Sequence, residues 1–240
     1  MQDDGHFDAE VAARYDEDHG GTDPALVARC VDLLATLAQN GRALEFAIGT
    51  GRIALPLAAR GVEVSGIELS KAMVAELRKK EQSPPLEVAI GDMTTTRLPG
   101  LFSLVYLVFN TIDNLTSQEV QITCFANASR HLEPGGRFVI ETNVPPLQRL
   151  PFGETSRAFA VSNDHMGVEE IDVATQSHIS HHVWPKTGLK RSIPFRYAWP
   201  AELDLMGRLA GLTLEYRWAD WDQSPYDRLS KKHVSVWRKA

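Results

Sequence analysis

Three acidic side chains stand out for what they could bind. Glu45 lies inside a short apolar run, and Glu68 and Asp92 follow two more such runs. Between the first two acids the chain reads Gly49-Thr50-Gly51-Arg52-Ile53-Ala54. Glycine lets a backbone turn sharply and lets a ligand approach it closely. The stretch matches the loose form of a dinucleotide fingerprint, with Ala in the third place. Alone, such a turn is also an ordinary strand-to-helix connection. Glu68, about 17 residues after Gly51, adds to it. An acid ending a second strand can accept from both hydroxyls of a ribose. Asp92 could accept from an adenine amino group, with Met93 on the ring. In open parallel sheets ligands bind beyond the carboxyl ends of the strands, and all three acids reach that edge.

The charge of Glu45 bears on which nucleotide cofactor would fit. NAD would lay a pyrophosphate over the Gly49–Gly51 turn, close to this carboxylate. At about 4–6 Å and an effective dielectric near 20, the repulsion is roughly 3–4 kcal/mol. S-adenosylmethionine carries no phosphate but an ammonium and a sulfonium, which favour a nearby anion. The expectation is the methyl donor, and it rests on Glu45 being ionised.

The elements that must position these residues follow from periodicity and caps. Residues 1–22 read as a mobile arm or lid with a short amphipathic piece around Val11–Tyr15. Asp23-Pro24 opens a helix with Leu26, Cys30, Leu33, Leu34 and Leu37 on one face, and Asn40-Gly41 stops it. Ala43–Ile48 is strand one, and a helix after Gly51 ends before Gly61. Val62–Ile67 is strand two, and Ser70 caps the next helix. Leu86–Ile90 and Leu101–Phe109 are strands three and four. Thr116-Ser117-Gln118-Glu119 reads as a capping box opening a helix through His131. Leu132–Gly136 turns into strand five, Arg137–Thr142. Alternating strands and helices imply a parallel sheet of βαβ units. After Pro145-Pro146 the pattern changes. Ile171–Val173, Ile179–Trp184 and Ser192–Trp199 read as short antiparallel strands, too few for a core of their own. A helix over Pro200–Ala210 and a hairpin of Leu212–Trp218 with Val234–Trp237 close the chain. The expected division is one domain over 1–240: arm 1–22, cofactor-binding core 23–145, insertion 146–199, closing elements 200–240.

Composition narrows the function classes. The net charge of -6 argues against a nucleic-acid footprint. No apolar run approaches the roughly 20 residues that span a bilayer, and the acidic N-terminus is unlike a signal peptide. With two cysteines and no secreted framework, a cytoplasmic protein is the expectation.

Together, Glu45–Gly51, Glu68, Gly91-Asp92-Met93 and His131–Gly136 resemble the motifs of class I S-adenosylmethionine-dependent methyltransferases. The resemblance covers residues 24–145 well and the closing elements more loosely. It implies a Rossmann-like α/β fold: a mostly parallel seven-stranded sheet with helices on both faces, here with an antiparallel insertion after strand five. It implies that Glu45 and the Gly49–Gly51 turn hold the methionine end of the donor, Glu68 the ribose, and Asp92 with Met93 the adenine, with Tyr15, Ala47, Arg52, Leu69, Met73, Phe109 and Asn110 as further cofactor-binding residues. The product cofactor would be S-adenosylhomocysteine. The family usually has Gly where this chain has Ala47.

Among subfamilies, the chain is similar to small-molecule methyltransferases of natural-product pathways, including those acting on sugar amino groups. These carry an N-terminal Tyr near the cofactor, for which Tyr15 is the candidate. They often place a His shortly after strand four, where this chain has Asn114. Asn is no base at neutral pH, so a base lies elsewhere or none is used. Tyr15 and Asn114 are the catalytic candidates. The expected reaction moves a methyl group to nitrogen or oxygen of a small molecule. The alternatives are an NAD-dependent oxidoreductase and a donor-binding protein that does not methylate. His178, His181 and His182 do not read as a metal site, since strand alternation puts His181 opposite the other two. Trp184, Tyr197 and Trp199 read first as core, then as a substrate wall or homodimer contact on the insertion.

Overall fold

A computed structural model describes residues 7–19, 24–81 and 83–240. Along the chain come α1 (Ala9–His19), α2 (Pro24–Ala38), β1 (Ala43–Phe46), α3 (Ala54–Ala58), β2 (Val64–Glu68), α4 (Lys71–Lys80), β3 (Glu87–Ile90) and β4 (Phe102–Leu107). Then follow α5 (Gln118–His131), β5 (Leu132–Asn143), the insertion strands β6 (Ser156–Val161), β7 (Met166–Asp172), β8 (Ser177–Trp184) and β9 (Leu189–Arg196), and finally α6 (Pro200–Leu209), β10 (Leu212–Trp218) and β11 (Lys232–Lys239).

The main sheet has seven strands in the order β10-β11-β5-β4-β1-β2-β3. Its strands are parallel except β11, which runs against both β5 and β10. Ala43 of β1 pairs with Val64 on one side and Leu104 on the other. The chain therefore moves outward from β1 to β3 and returns to lay β4 beside β1. That reversal opens a crevice at the carboxyl edge between β1 and β4.

Both sheet faces are covered, which is why the central strands are apolar almost throughout. Ala43, Leu104, Tyr106 and Val139 pack under α2 and α3 with Leu34 and Leu57. Their chain neighbours Leu44, Val105 and Phe138 pack under α5 and α6 with Phe125, Leu203 and Trp237. Cys30 and Cys124 are buried free thiols in these two cores.

Local chemistry explains the boundaries. Ser70 Oγ accepts from the Met73 amide at 3.2 Å and starts α4. α5 starts one residue later than the capping box implies: Ser117, not Thr116, is the cap, accepting from the Val120 amide. β4 stops short of Phe109 because Phe109 and Asn110 take left-handed φ angles of 59° and 58°. β5 starts early: Leu132 pairs with Phe102, and the ladder resumes at Leu104–Arg137 after a bulge.

Two readings of the sequence need correction. The arm contains α1, an ordered helix. It is docked by Ala12, which is buried, and by Asp16, which bonds Thr50 Oγ1 at 2.6 Å and Lys80 Nζ at 2.6 Å. The Asp23 cap lies outside the described residues. The insertion has four strands in the order β6-β7-β8-β9, not three, and β9 ends at Arg196 rather than Trp199. Its attachment is a buried polar cluster. Arg196 donates to Gln121 Oε1 at 2.6 Å and to Glu202 Oε1 at 2.7 Å, and Gln121 Nε2 donates back to the Arg196 carbonyl.

Candidate cofactor site

The site is built from the glycine turn outward. Ala47 (φ 53°), Gly49 (φ 56°) and Gly51 (φ 78°) reverse the chain between β1 and α3. A Cβ on Gly51 would stand 3.0–3.1 Å from Leu55 and Leu77 side-chain carbons, so only glycine lets α3 and α4 close here. Ile48 sits directly on β2, where a Cβ at Gly66 would stand 2.5 Å from its Cδ1. Gly66 is thus a positioning residue that the sequence reading passed over. An isolated Gly inside a strand pattern was the available signal.

Glu68 braces this turn. Its Oε2 accepts from the Gly49 amide at 2.8 Å and its Oε1 from the Ser70 amide at 2.9 Å. Each carboxylate oxygen accepts more than one hydrogen bond, so a ribose diol can still donate to it. Leu69 follows, half-buried, and buried Met73 lies beneath Gly49, with its Cε 3.4 Å from where a Cβ would be. Asp92 folds a turn: its Oδ1 accepts from the amide and hydroxyl of Thr94, each at 2.7 Å. Its Oδ2 has no partner among the described residues. Met93 is packed in the core with Ile67 and Leu98.

Glu45 is not the ready anion that the sequence reading assumed. It is buried beneath the turn, and Tyr106, its in-register neighbour on β4, donates its hydroxyl to Oε2 at 3.0 Å. Burial pushes its carboxyl up to about 8, against the Tyr106 bond and the Arg52 charge. At neutral pH the group is mostly protonated until a cation draws it down.

Over the turn lies α1. Tyr15 stands within electrostatic reach of Arg52, Glu68, Asp16 and Glu45, and burial raises its phenol above the ordinary value. Phe7 packs edge-on against it, and the Phe7 carbonyl accepts from Ser70 Oγ at 2.7 Å. Burial opposes ionisation of Asp16, yet the Lys80 and Thr50 bonds hold its carboxyl below the usual range.

Beyond β4, the Arg52 guanidinium stacks 4.3 Å from the Phe109 ring centre. Glu141 of β5 holds the left-handed pair: its Oε2 accepts from the Phe109 amide at 3.1 Å and its carbonyl from the Asn110 amide at 3.2 Å. A cavity of about 180 Å³ opens here, with Val108, α2 and Trp221 as apolar walls and Arg52, Glu141 and Lys232 as polar ones. Asn114 ends the next turn on the surface. The histidines of the insertion meet neighbours within it. His178 meets Glu169, His181 meets Glu170 and Ser192, and His182 bonds His165 and Ser180 and stacks on Trp184. Among the described residues no three metal-ligating side chains come together. Tyr197 is buried, and Trp199 is exposed at the start of α6.

A switch-point crevice with a glycine turn and acids at the ends of β2 and β3 defines a nucleotide-cofactor α/β protein. Comparison with known proteins narrows the class. A family model described as a methyltransferase domain matches residues 43–136. The chain is similar along its length to the CcbJ methyltransferase from Streptomyces caelestis, at 36% identity, 99% of both chains and a TM-score of 0.84. A demethylmenaquinone methyltransferase of Thermus thermophilus is 33% identical over 63% of this chain and 70% of that one. A dTDP-3-amino-3,4,6-trideoxy-alpha-D-glucopyranose N,N-dimethyltransferase of Streptomyces venezuelae is 30% identical over 66% of this chain and 62% of its own length. The chain spans between 45% and 70% of the curated relatives it matches. It belongs to the S-adenosylmethionine-dependent methyltransferases. The comparisons give no support to the oxidoreductase or to a binding protein without transfer.

The residues present suit this donor. Glycine stands at 49 and 51 of the turn where a ligand must approach, a braced carboxylate ends β2, and Asp92 Oδ2 is left to accept.

Proposed function

We propose that this protein transfers a methyl group from S-adenosylmethionine to a small molecule, on nitrogen or oxygen, with an amine nitrogen the favoured acceptor. The observation that carries it is the convergence of Glu68, Asp92 and the Gly49–Gly51 turn on one sheet edge. The amine is favoured because the Streptomyces venezuelae relative is named for dimethylating an amino sugar.

In this reading Glu68 takes the ribose hydroxyls and Asp92 Oδ2 the adenine amino group. Met73 and Leu69 line that end, with Met93 at its base. Glu45, Ala47, Gly49, Gly51 and Arg52 surround the methionine end, and Phe109 and Asn110 wall the methyl's exit. Tyr15 covers the sulfonium from α1. The donor, when bound, supplies a methyl carbon activated by its positive sulfur. The protein's share is to hold a nucleophile about 3 Å from that carbon and keep water out. Such positioning supplies roughly 7–11 kcal/mol.

Residues 1–240 work as one unit, with the insertion as the outer wall of the acceptor side. Val161, Met166 and Val168 leave an exposed apolar surface on one face of the insertion, which supports a homodimer through it. Met166→Glu with Val168→Lys would leave a monomer by sedimentation. The net charge of -6 supports small molecules rather than nucleic acid as partners. No described helix is long and apolar enough to cross a membrane, and a cytoplasmic location fits the two free thiols.

The test is mass spectrometry of ligands that co-purify, then tritiated donor with 3-amino-3-deoxyglucose, cyclic secondary amines and phenols. Labelled product supports the reading. A dinucleotide in the cleft, or no binding of donor or product cofactor, overturns it.

A further inference from the structure

We propose that Asp113 is the base for an amine acceptor, a role that rests on the methyl-transfer reading above. Asp113 sits on the tight turn Thr111–Asn114 directly beyond β4. The turn is firmly held. The Asp113 amide bonds the Asn110 carbonyl at 3.0 Å, Thr111 Oγ1 bonds the Val108 carbonyl at 2.7 Å, and Gln121 Nε2 bonds the Ile112 carbonyl at 3.2 Å. Asn114 is exposed and has no basic nitrogen. Asp113, one residue earlier, is half-buried on the turn that follows the carboxyl end of β4.

Its carboxylate is short of donors. The Thr142 hydroxyl stands 3.4 Å from each oxygen, at the outer limit of a hydrogen bond. The charged group acting on it is Arg196 of β9, whose guanidinium is already committed to Gln121 and Glu202. From β5 only Thr142 turns toward it, since Glu141 engages the Phe109 amide and Lys232. α5 contributes the neutral Gln121. A carboxylate placed this way gains most from a ligand that brings an N–H. Burial raises Asp113 to about 7, against the Thr142 bond and the Arg196 charge. A base poised near neutrality moves protons most effectively.

The proton balance is simple. An ammonium acceptor loses one N–H proton to an Asp113 oxygen and keeps the lone pair. That pair forms the bond to the methyl carbon, and the electrons of the broken carbon–sulfur bond stay on sulfur. The product leaves as the methylated ammonium, and Asp113 releases its proton to solvent to reset the site.

The experiment uses protein loaded with S-adenosylhomocysteine and 3-amino-3-deoxyglucose as the probe. Infrared difference spectra at pH 6 should show a protonated-carboxyl band that the amine bleaches, absent from Asp113→Asn. With donor, Asp113→Asn should lose about 100-fold or more in kcat at pH 7, together with the acid limb of the kcat/KM profile near pH 7. Transfer by Asp113→Asn at the parent rate and pH profile overturns the base and leaves the methyl-transfer reading standing. If the parent protein methylates nothing in the panel, that reading falls. The carboxyl band then judges Asp113 by itself, and a band indifferent to the amine rejects it.

Discussion

The two halves of the carboxyl edge are held in different ways. On the cofactor side, side chains brace backbone: Glu68 ties Gly49 to Ser70, and Asp92 ties its own turn. On the side we propose for the acceptor, a four-stranded insertion with no fully buried strand hangs from the Arg196–Gln121–Glu202 cluster. A cofactor is the same in every turnover, so its cleft can be fixed by short-range geometry. An acceptor wall gains from being a separable piece, anchored at few points and free to vary.

Arg196→Ala gives the largest effect if this contrast is right. Both ends of the Arg196–Glu202 pair are well buried, with side chains 7% and 14% exposed. Breaking a buried pair by removing one partner costs about 3–5 kcal/mol. For a chain of this size that is a fall in melting temperature of roughly 10 °C. Hydrogen exchange should rise across 156–196 first, while affinity for S-adenosylhomocysteine by calorimetry changes by less than about 0.5 kcal/mol, within the limit for distant sites. A parallel loss of cofactor affinity would show that the two halves are one cooperative unit.

Glu68→Ala should do the reverse. Charge-assisted hydrogen bonds are worth about 1.5–3 kcal/mol each, so cofactor affinity should drop by about 3 kcal/mol with the insertion's exchange unchanged. Unaltered affinity would remove Glu68 from the ribose.

The same contrast explains what could be read in advance. The glycine turn, the β2 acid and the Ser70 cap are short-range patterns with one physical solution each, and they were legible. β6 was not, because Ser156–Val161 is almost wholly exposed and carries no buried period. Asp113 was passed over because its meaning depends on Thr142 and Arg196, which are remote in sequence. The ionisation of Glu45 was misjudged because sequence shows a carboxylate but not its burial under Tyr106.

That misjudgement gives a pH test. Glu45 sits at about 8 in the folded chain, above its ordinary 4.5. Its contribution to stability is complete below about 4.5 and is lost as pH rises through about 8. Binding of the ligand's ammonium favours the ionised form, so it expels this proton below pH 8. Cofactor affinity should therefore climb with pH between about 6 and 8, by at most tenfold per unit, and level off above. Glu45→Gln should flatten the curve. A flat curve in the parent protein would place the ammonium elsewhere.

The smallest expected effect is also the sharpest probe of the cofactor side. Ala47 occupies a left-handed conformation, φ 53°, in the place where the motif it resembles has Gly. A Cβ there costs roughly 1–2 kcal/mol, and part of that returns on replacement, since Gly also loosens the unfolded chain. Ala47→Gly should therefore stabilise the protein by about 1 kcal/mol, or about 2–4 °C. Two results separate strain from service. If stability rises and cofactor affinity holds, the methyl group is only a tolerated cost of the turn. If stability rises while affinity falls, the methyl group touches the bound donor, and the strain is kept because it shapes the cleft.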